Sequence, residues 1–442
     1  MSNFFDTICA PATPLAVGGI GIIRTSGEDA LKIVQKIFNK EIKEDKINHG
    51  WIVSNGEKID EVVVLYFKNP KSYTGEDVVE IQTHGSPIVI KRILNLVLDN
   101  GARLADKGEF TKRAFLNHKM DLSKAEAVLD LINSKSIKSA SYNASNLSGS
   151  LNIAISNMRD KIIEILAKIT ASLDFPEDVA EVPYETIAQT LTPIRDEIQH
   201  ILDNASSHNI LREGIKIAVV GRPNVGKSSL FNALLNLDRA IVTDIAGTTR
   251  DIITESFEIN GILATLIDTA GIREDEDIDK VEKIGINQAK SAIEDADIVL
   301  LLFDGSVGII KEDEEIFALA KDKKQILIST KSDLSNKTFE DILQISSKTG
   351  ENIEELKKII YNTVIDTNLE NYDFTTNQRQ QESLRNSLRF LDNAIFASIN
   401  LELQDLISID IKSALISLGE ITGEVINDEI LNGIFEKFCI GK

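Results

Sequence analysis

Only two cysteines, Cys9 and Cys439, occur in 442 residues, and they stand at opposite ends of the chain. That scarcity excludes a disulfide framework and reads as reduced thiols in a cytoplasmic protein. Positive charge is also short. The 48 basic residues face 69 acidic ones, for a formal net charge of -21, so a broad nucleic-acid-binding face is excluded and any RNA contact has to be a local patch or run through a partner. No apolar run approaches the roughly 20 residues of a membrane span; the longest lies around 298–303. Residues 1–10 lack the basic start of a secretory signal, and the tail Cys439-Ile440-Gly441-Lys442 fits a prenylation box poorly. A soluble protein with no membrane association is expected. The five histidines, His49, His84, His118, His200 and His208, show no metal-ligand spacing. Internal repeats and flavin or nicotinamide fingerprints are absent as well.

What is present falls into domains. A chain of this length at 43% hydrophobic residues holds two to three cores. Residues 1–118 alternate short β-rich runs (19–24, 61–67, 77–82) with helical stretches such as 88–98, as expected of an α/β domain. From about Lys119 the pattern is helical. Ser123 and Glu126 have capping-box spacing, and Ala125, Val128, Leu129 and Ile132 share one helical face. The acidic stretch 174–185, with Pro176 and Pro183, connects two helices. Over 214–366 apolar strands alternate with helices, the signature of a parallel sheet covered on both faces, and 367–442 is helical again. The predicted architecture is multidomain, α/β and all-α: an N-terminal α/β domain (1–118), and a helical domain (119–213 and 367–442) interrupted by an inserted P-loop domain of parallel α/β type (214–366).

The chemistry concentrates in the insert. Gly221-Arg222-Pro223-Asn224-Val225-Gly226-Lys227-Ser228 matches G-x-x-x-x-G-K-[ST] between an apolar strand (215–220) and a helix that begins near Ser229. In that context glycines let backbone N–H groups close round phosphate oxygens, Lys227 reaches the outer phosphates and the Ser228 hydroxyl binds Mg²⁺. Asp268-Thr269-Ala270-Gly271 ends the strand 263–267, bringing a carboxylate toward the metal's water shell and a flexible N–H toward the terminal phosphate. In the loop 243–251, Thr248 or Thr249 offers the metal a second hydroxyl. Base selection falls to Thr330-Lys331-Ser332-Asp333: a fixed carboxylate accepts both N–H donors of the guanine edge, which adenine lacks, and such a site discriminates by a factor on the order of 10⁴. The Lys331 stem covers the base, and Ser346-Ser347-Lys348 reaches the guanine oxygen. These pieces look like the GTPase superfamily, except that Thr330 stands where the usual pattern has Asn, a departure bearing on affinity more than on specificity.

Many GTPases place Gln after the Asp-Thr-Ala-Gly run to orient the attacking water. Here Ile272 holds that position and cannot hydrogen-bond water. Glu282 is the candidate replacement, although in so acidic a stretch it reads equally as a solvated helix charge. The Asn224 amide oxygen can help hold a monovalent cation.

Together with Asp244-Ile245-Ala246-Gly247-Thr248-Thr249-Arg250-Asp251, Val281-Glu282-Lys283-Ile284-Gly285 and Phe438-Cys439-Ile440-Gly441-Lys442, these motifs resemble the MnmE (TrmE) family of tRNA-modification GTPases. Asp6-Thr7-Ile8, Gly18 to Arg24, Tyr73 to Asp77 and Gly108-Glu109-Phe110 extend the resemblance over essentially the whole chain, in the same domain order. The resemblance implies an N-terminal domain that binds 5-formyl-tetrahydrofolate or a related one-carbon tetrahydrofolate and forms a homodimer. It also implies K⁺-stimulated GTP hydrolysis activated by G-domain dimerisation, and a flavoprotein partner, MnmG (GidA), in a heterotetramer. The pair would add a carboxymethylaminomethyl or aminomethyl group at C5 of the wobble uridine of certain tRNAs, the tRNA being bound through the complex. By matching positions, Gly221, Asn224 to Ser229, Thr243 to Thr249, Asp268 to Gly271, Thr330, Lys331, Asp333 and Ser346 to Lys348 would bind GTP. Ser228 and Thr249 would hold Mg²⁺; Asn224, Thr243, Ile245 and Thr248 would hold K⁺; Glu282 would orient water; Arg24, Glu80, Lys119 and Lys442 would contact folate. Apart from the resemblance, those last four are surface ion-pair residues.

Two other readings are a ribosome-assembly GTPase, which would need a basic RNA-binding appendage, and a one-carbon transferase regulated by GTP. The segment 103–119, with five basic and two acidic residues, suits folate carboxylates, tRNA phosphates or a solvated face. Cys439 is expected to be a packed thiol.

Overall fold

A computed structural model of the protein describes residues 6–237, 254–267, 290–335, 337–364, 373–426 and 428–442. The chain divides into two compact units, one formed by Met1–Leu129 with Ile416–Lys442 and the other by Asp130–Leu415.

The first unit is built on a six-stranded sheet of β1 (Ile8–Pro11), β2 (Ile20–Ser26), β3 (Asn48–Ser54), β4 (Glu57–Phe67), β5 (Val78–His84) and β6 (Arg103–Leu104), in the order β3-β4-β5-β2-β1-β6. All neighbours are antiparallel except β1 and β6. Helices Ala30–Ile37 and Pro87–Asp99 bury Ile33, Val34, Ile37 and Ile90, Ile93, Val97 in its core, the three-to-four-residue spacing of an amphipathic face. The tail belongs to this unit. Helix Asp428–Phe435 buries Leu431, Ile434 and Phe435, and Ile440 bridges to Lys107. Glycine is required where the backbones meet: Gly441, at φ +98°, would drive a Cβ into the Pro11 carbonyl.

Helix Leu122–Ile132 departs from the capping expectation. Its first turn is closed by Asp121, whose Oδ1 accepts the Lys124 N–H at 2.9 Å, because the chain becomes helical one residue before Ser123. Ser123 is buried within that turn and Ile132 is exposed at the helix end.

In the second unit, helices Ile137–Ser148, Ser150–Asp174, Tyr184–Asp203, Ala205–Glu213 and Gln378–Ile399 carry apolar rows such as Ile155, Ile162, Ile165, Ile169 and Ile187, Leu191, Ile194, Ile198. Residues 175–183 form the expected connection. Asn377 and Gln380 make a reciprocal capping box at the start of Gln378–Ile399.

Gly214 at φ +90° leads from helix Ala205–Glu213 into the second sheet: β7 (Ile215–Val220), β8 (Thr254–Ile259), β9 (Ile262–Ile267), β10 (Ile298–Asp304), β11 (Lys324–Thr330) and β12 (Leu343–Gln344), ordered β12-β11-β10-β7-β9-β8. Only β8 runs antiparallel to its neighbour. β10 is buried along six consecutive residues, as a strand covered on both faces must be. Strand order reverses at β7, and in open α/β sheets ligands bind at the carboxyl ends of the strands beside such a point. Among the described residues no helix is long and apolar enough to cross a membrane.

Candidate functional site

The phosphate-loop motif leaves the carboxyl end of β7 and enters helix Lys227–Leu237. Its backbone needs its residue types. A Cβ on Gly221 would lie 2.5 Å from the Leu302 carbonyl oxygen, Gly226 sits at φ +102°, and Asn224 adopts φ 62°, a conformation that asparagine tolerates better than most residues. Lys227 Nζ donates to the carbonyls of Gly221 (2.8 Å) and Arg222 (2.9 Å), which hold the amine over the loop. Asn224, Ser228 and Ser229 are exposed, whereas Val225 is buried and anchors the turn.

The guanine-reading candidates follow β11 and lie beside this loop. Thr330 is buried, and its hydroxyl faces the carbonyls of Val225 (2.6 Å) and Phe303 (3.0 Å). With one proton the hydroxyl donates to one of them at a time or shares it between both. Thr330 thus ties the end of β11 to the phosphate loop, giving the departure from Asn a physical role. Lys331 adopts φ 60° and its amine pairs with Asp304 at 2.6 Å, fixing both ends of the stem. Burial pushes the Asp304 carboxyl upward, but Lys331 and Ser306 outweigh it and hold it below its ordinary value. Asp333 is exposed and accepts the Ser346 hydroxyl on Oδ1 at 2.7 Å, which leaves its second oxygen for a further donor. Ser346 is buried and closes its own loop through Thr349 and Gly350; Ser347 is half-buried and Lys348 exposed.

Thr243, Asp244, Ile245, Ala246, Gly247, Thr248 and Thr249, together with Asp268, Thr269, Ala270, Gly271, Ile272 and Glu282, lie outside the described residues. Of the expected K⁺ ligands only Asn224 is described, and of the Mg²⁺ ligands only Ser228.

In the first unit, Arg24 donates to Glu80 at 2.9 Å across β2 and β5, with both side chains about 15% exposed. Its guanidinium lies 5.4 Å from the centre of the Tyr73 ring and 5.8 Å from that of Phe110. Lys442 belongs to the same cluster: burial, then the Arg24 charge, lowers the pKa of its amine against the opposing pull of Glu80. Lys119 is exposed, bonded to the Pro70 carbonyl at 2.9 Å, and its stem passes Gly75 two residues from Tyr73. Three of the four expected folate contacts therefore share one cluster, and the fourth lies along the loop that supplies its aromatic ring.

Two sequence readings change. The basic segment 103–119 is not an open cationic face, because Arg103 and Arg113 are committed to ion pairs with Asp6 and Glu109, and Arg113 also to Glu76. Arg113 is 2% exposed. Cys439 is exposed rather than packed, since Phe438 takes the buried place beside Phe435. Cys9 is the packed thiol, and burial pushes it up to about 12. Motif reading missed Asp304 and Asp313, and it named Tyr73 and Phe110 only as parts of family motifs; tertiary contacts alone place those two rings beside Arg24.

Residues 122–439 match the family described as the MnmE helical domain, and residues 7–119 match the one described as the GTP-binding protein TrmE N-terminus. A tRNA modification GTPase MnmE from Thermoanaerobacter pseudethanolicus is 44% identical over 460 residues, covering 99% of this chain and 100% of the relative. Proteins of the same name from Thermotoga petrophila (44% over 451 residues; 99% and 100%) and Clostridioides difficile (42% over 457; 99% and 99%) match over comparable lengths. With the phosphate loop after β7 and the Thr330 to Asp333 element after β11 joined by the Thr330 hydroxyl, and with this end-to-end likeness, the chain belongs to the MnmE family of tRNA modification GTPases, enzymes of the GTP-hydrolase class.

Proposed function

We propose that the protein is a K⁺-stimulated, dimerisation-activated GTPase that works with a flavoprotein of the MnmG (GidA) type to place an aminomethyl or carboxymethylaminomethyl group on C5 of the wobble uridine of certain tRNAs. The observation that carries the nucleotide reading is the tie between Thr330 and the Val225 carbonyl, because it fixes the base-selecting carboxylate relative to the phosphate loop. Gly221 and Asn224 to Ser229 cradle the phosphates, and Asp333 reads the guanine edge. Ser228, with Thr249, would hold Mg²⁺, which supplies charge neutralisation at the phosphates. Asn224, with Thr243, Ile245 and Thr248, would hold K⁺. Glu282 orients the attacking water in place of the glutamine that Ile272 displaces.

For the one-carbon folate, the donor set fits. Glu80, held by Arg24, accepts from the pterin's donor edge, Lys119 and Lys442 offer cations to the ligand's anionic groups, and Tyr73 and Phe110 supply ring faces. The net charge of -21 favours tRNA binding through a complex rather than by this chain alone.

GTP turnover measured in K⁺ and in Na⁺ at several protein concentrations tests the reading. Turnover that is faster in K⁺ and rises per subunit with concentration is expected; equal rates in the two salts would refute the cation assignment, and turnover per subunit that does not change with concentration would refute the dimer assignment.

A further inference from the structure

Arg222 occupies the first variable position of the phosphate-loop motif, and its side chain is already engaged within the protein. Its Nε donates at 2.6 Å to Oδ1 of Asp313, ninety-one residues further along the chain. Asp313 is 0% exposed, and its other oxygen accepts the Ile310 N–H at 3.1 Å, capping helix Lys311–Ala318. Both oxygens of a buried carboxylate are therefore satisfied, one by a helix start and one by the phosphate loop. The Arg222 carbonyl meanwhile accepts from Lys227 Nζ, so the residue gripped by Asp313 is also one that holds the phosphate-binding amine.

The same stretch of chain carries a second grip. Asp304, at the end of β10, pairs with Lys331 of the guanine-reading element, Gly305 N–H donates to the Thr330 carbonyl at 2.9 Å, and the Ser335 hydroxyl donates to the Gly305 carbonyl at 2.8 Å. One short segment, 304–313, thus clamps the guanine-reading loop at one end and the phosphate loop at the other.

We infer that Asp313 and Arg222 are positioning residues which, through this segment, set the phosphate loop against the guanine-reading loop and so control guanine-nucleotide affinity. The inference rests on the nucleotide site proposed above. Charge-assisted bonds from an arginine to a buried carboxylate are the strong ones, and residues acting through one contact show non-additive effects when both are changed.

Asp313→Asn keeps an oxygen for the Ile310 cap and removes the ion pair; Arg222→Gln removes it from the other side. In the full-length chain each is expected to raise the KM for GTP and the Kd for GDP about tenfold, to move kcat much less, and to leave the preference for GTP over ATP intact. The double variant is expected to be no weaker than either single one, and Arg222→Lys to recover part of the affinity. Multiplicative losses in the double variant, or a lowered melting temperature with unchanged KM and Kd, would overturn the inference. Asp333→Ala keeps the two levels apart. Loss of the preference for GTP in that variant, beside normal GDP binding by the Asp313 and Arg222 variants, rejects the positioning role alone. An unchanged preference rejects the site assignment and the inference with it.

Discussion

The nucleotide site and the tail-docking cluster of the first unit are built by opposite means. At the nucleotide site the backbone does most of the work: carbonyls of Gly221, Arg222, Val225 and Phe303 receive the key side chains, and a contiguous motif supplies the first three of them. The cluster of Arg24, Glu80 and Lys442 is assembled from side chains up to 418 residues apart, and the Arg103–Arg113 network joins a further five charged groups. Backbone cradles leave local signatures in sequence because they demand glycine or special backbone angles. Side-chain clusters leave none.

That contrast can be broken most severely at Glu282. If the nucleotide site needs an element outside its motifs, Glu282→Ala should lower single-turnover GTP hydrolysis by about 10³-fold while sparing GTP binding; unchanged hydrolysis would mean that the motif loops suffice. Next comes Arg113. Removing it leaves the buried Glu109 and the half-buried Asp6 and Glu76 short of countercharge, so Arg113→Met should destabilise the protein by about 3 kcal/mol, read as a lower urea midpoint. A neutral result would show that the network is dispensable to the side-chain-built unit. Thr330→Val removes the hydroxyl that joins two loops and leaves buried carbonyls short of a partner, for an expected loss of about 1–3 kcal/mol in GDP binding by calorimetry. Thr330→Ser, which keeps the hydroxyl, should stay close to the parent.

The smallest effect concerns His84. Its Nδ1 lies 2.6 Å from Asp60 Oδ1, and that hydrogen bond, with the Asp60 charge, raises its pKa above 6.5. A raised folded-state pKa means that the pair's contribution to stability is full below pH 6.5 and disappears as pH climbs through the raised value. An NMR titration should place the His84 midpoint above 6.5 and return it toward that value in Asp60→Asn.

The gain and loss of legibility follow the same division. The strand 215–220 could be read to the residue and the helix start to within two, at Lys227 and not Ser229, since an apolar strand, a glycine turn and a helix start are each local. The capping residue of helix Leu122–Ile132 was off by two positions: Asp, Ser and Glu stand close together there, and only the chain's entry angle selects Asp121. The positive segment 103–119 left three readings open because ion pairing of its arginines with Asp6 and Glu76 is invisible to local composition. Cys439 looked packed because the sequence does not say whether Phe438 or Cys439 turns inward.

By itself, then, the sequence determined the alternation of α/β and helical stretches, the phosphate-loop motif and the family, since each depends on residues close together or on a pattern spread over the whole chain. Tertiary structure alone decided that Asp304 and Asp313 grip the two nucleotide loops, that Arg103 and Arg113 are neutralised, and that Lys442 stands beside Arg24 and Glu80. The reason is physical: an ion pair is fixed by distance and burial, and neither quantity exists until the chain has folded.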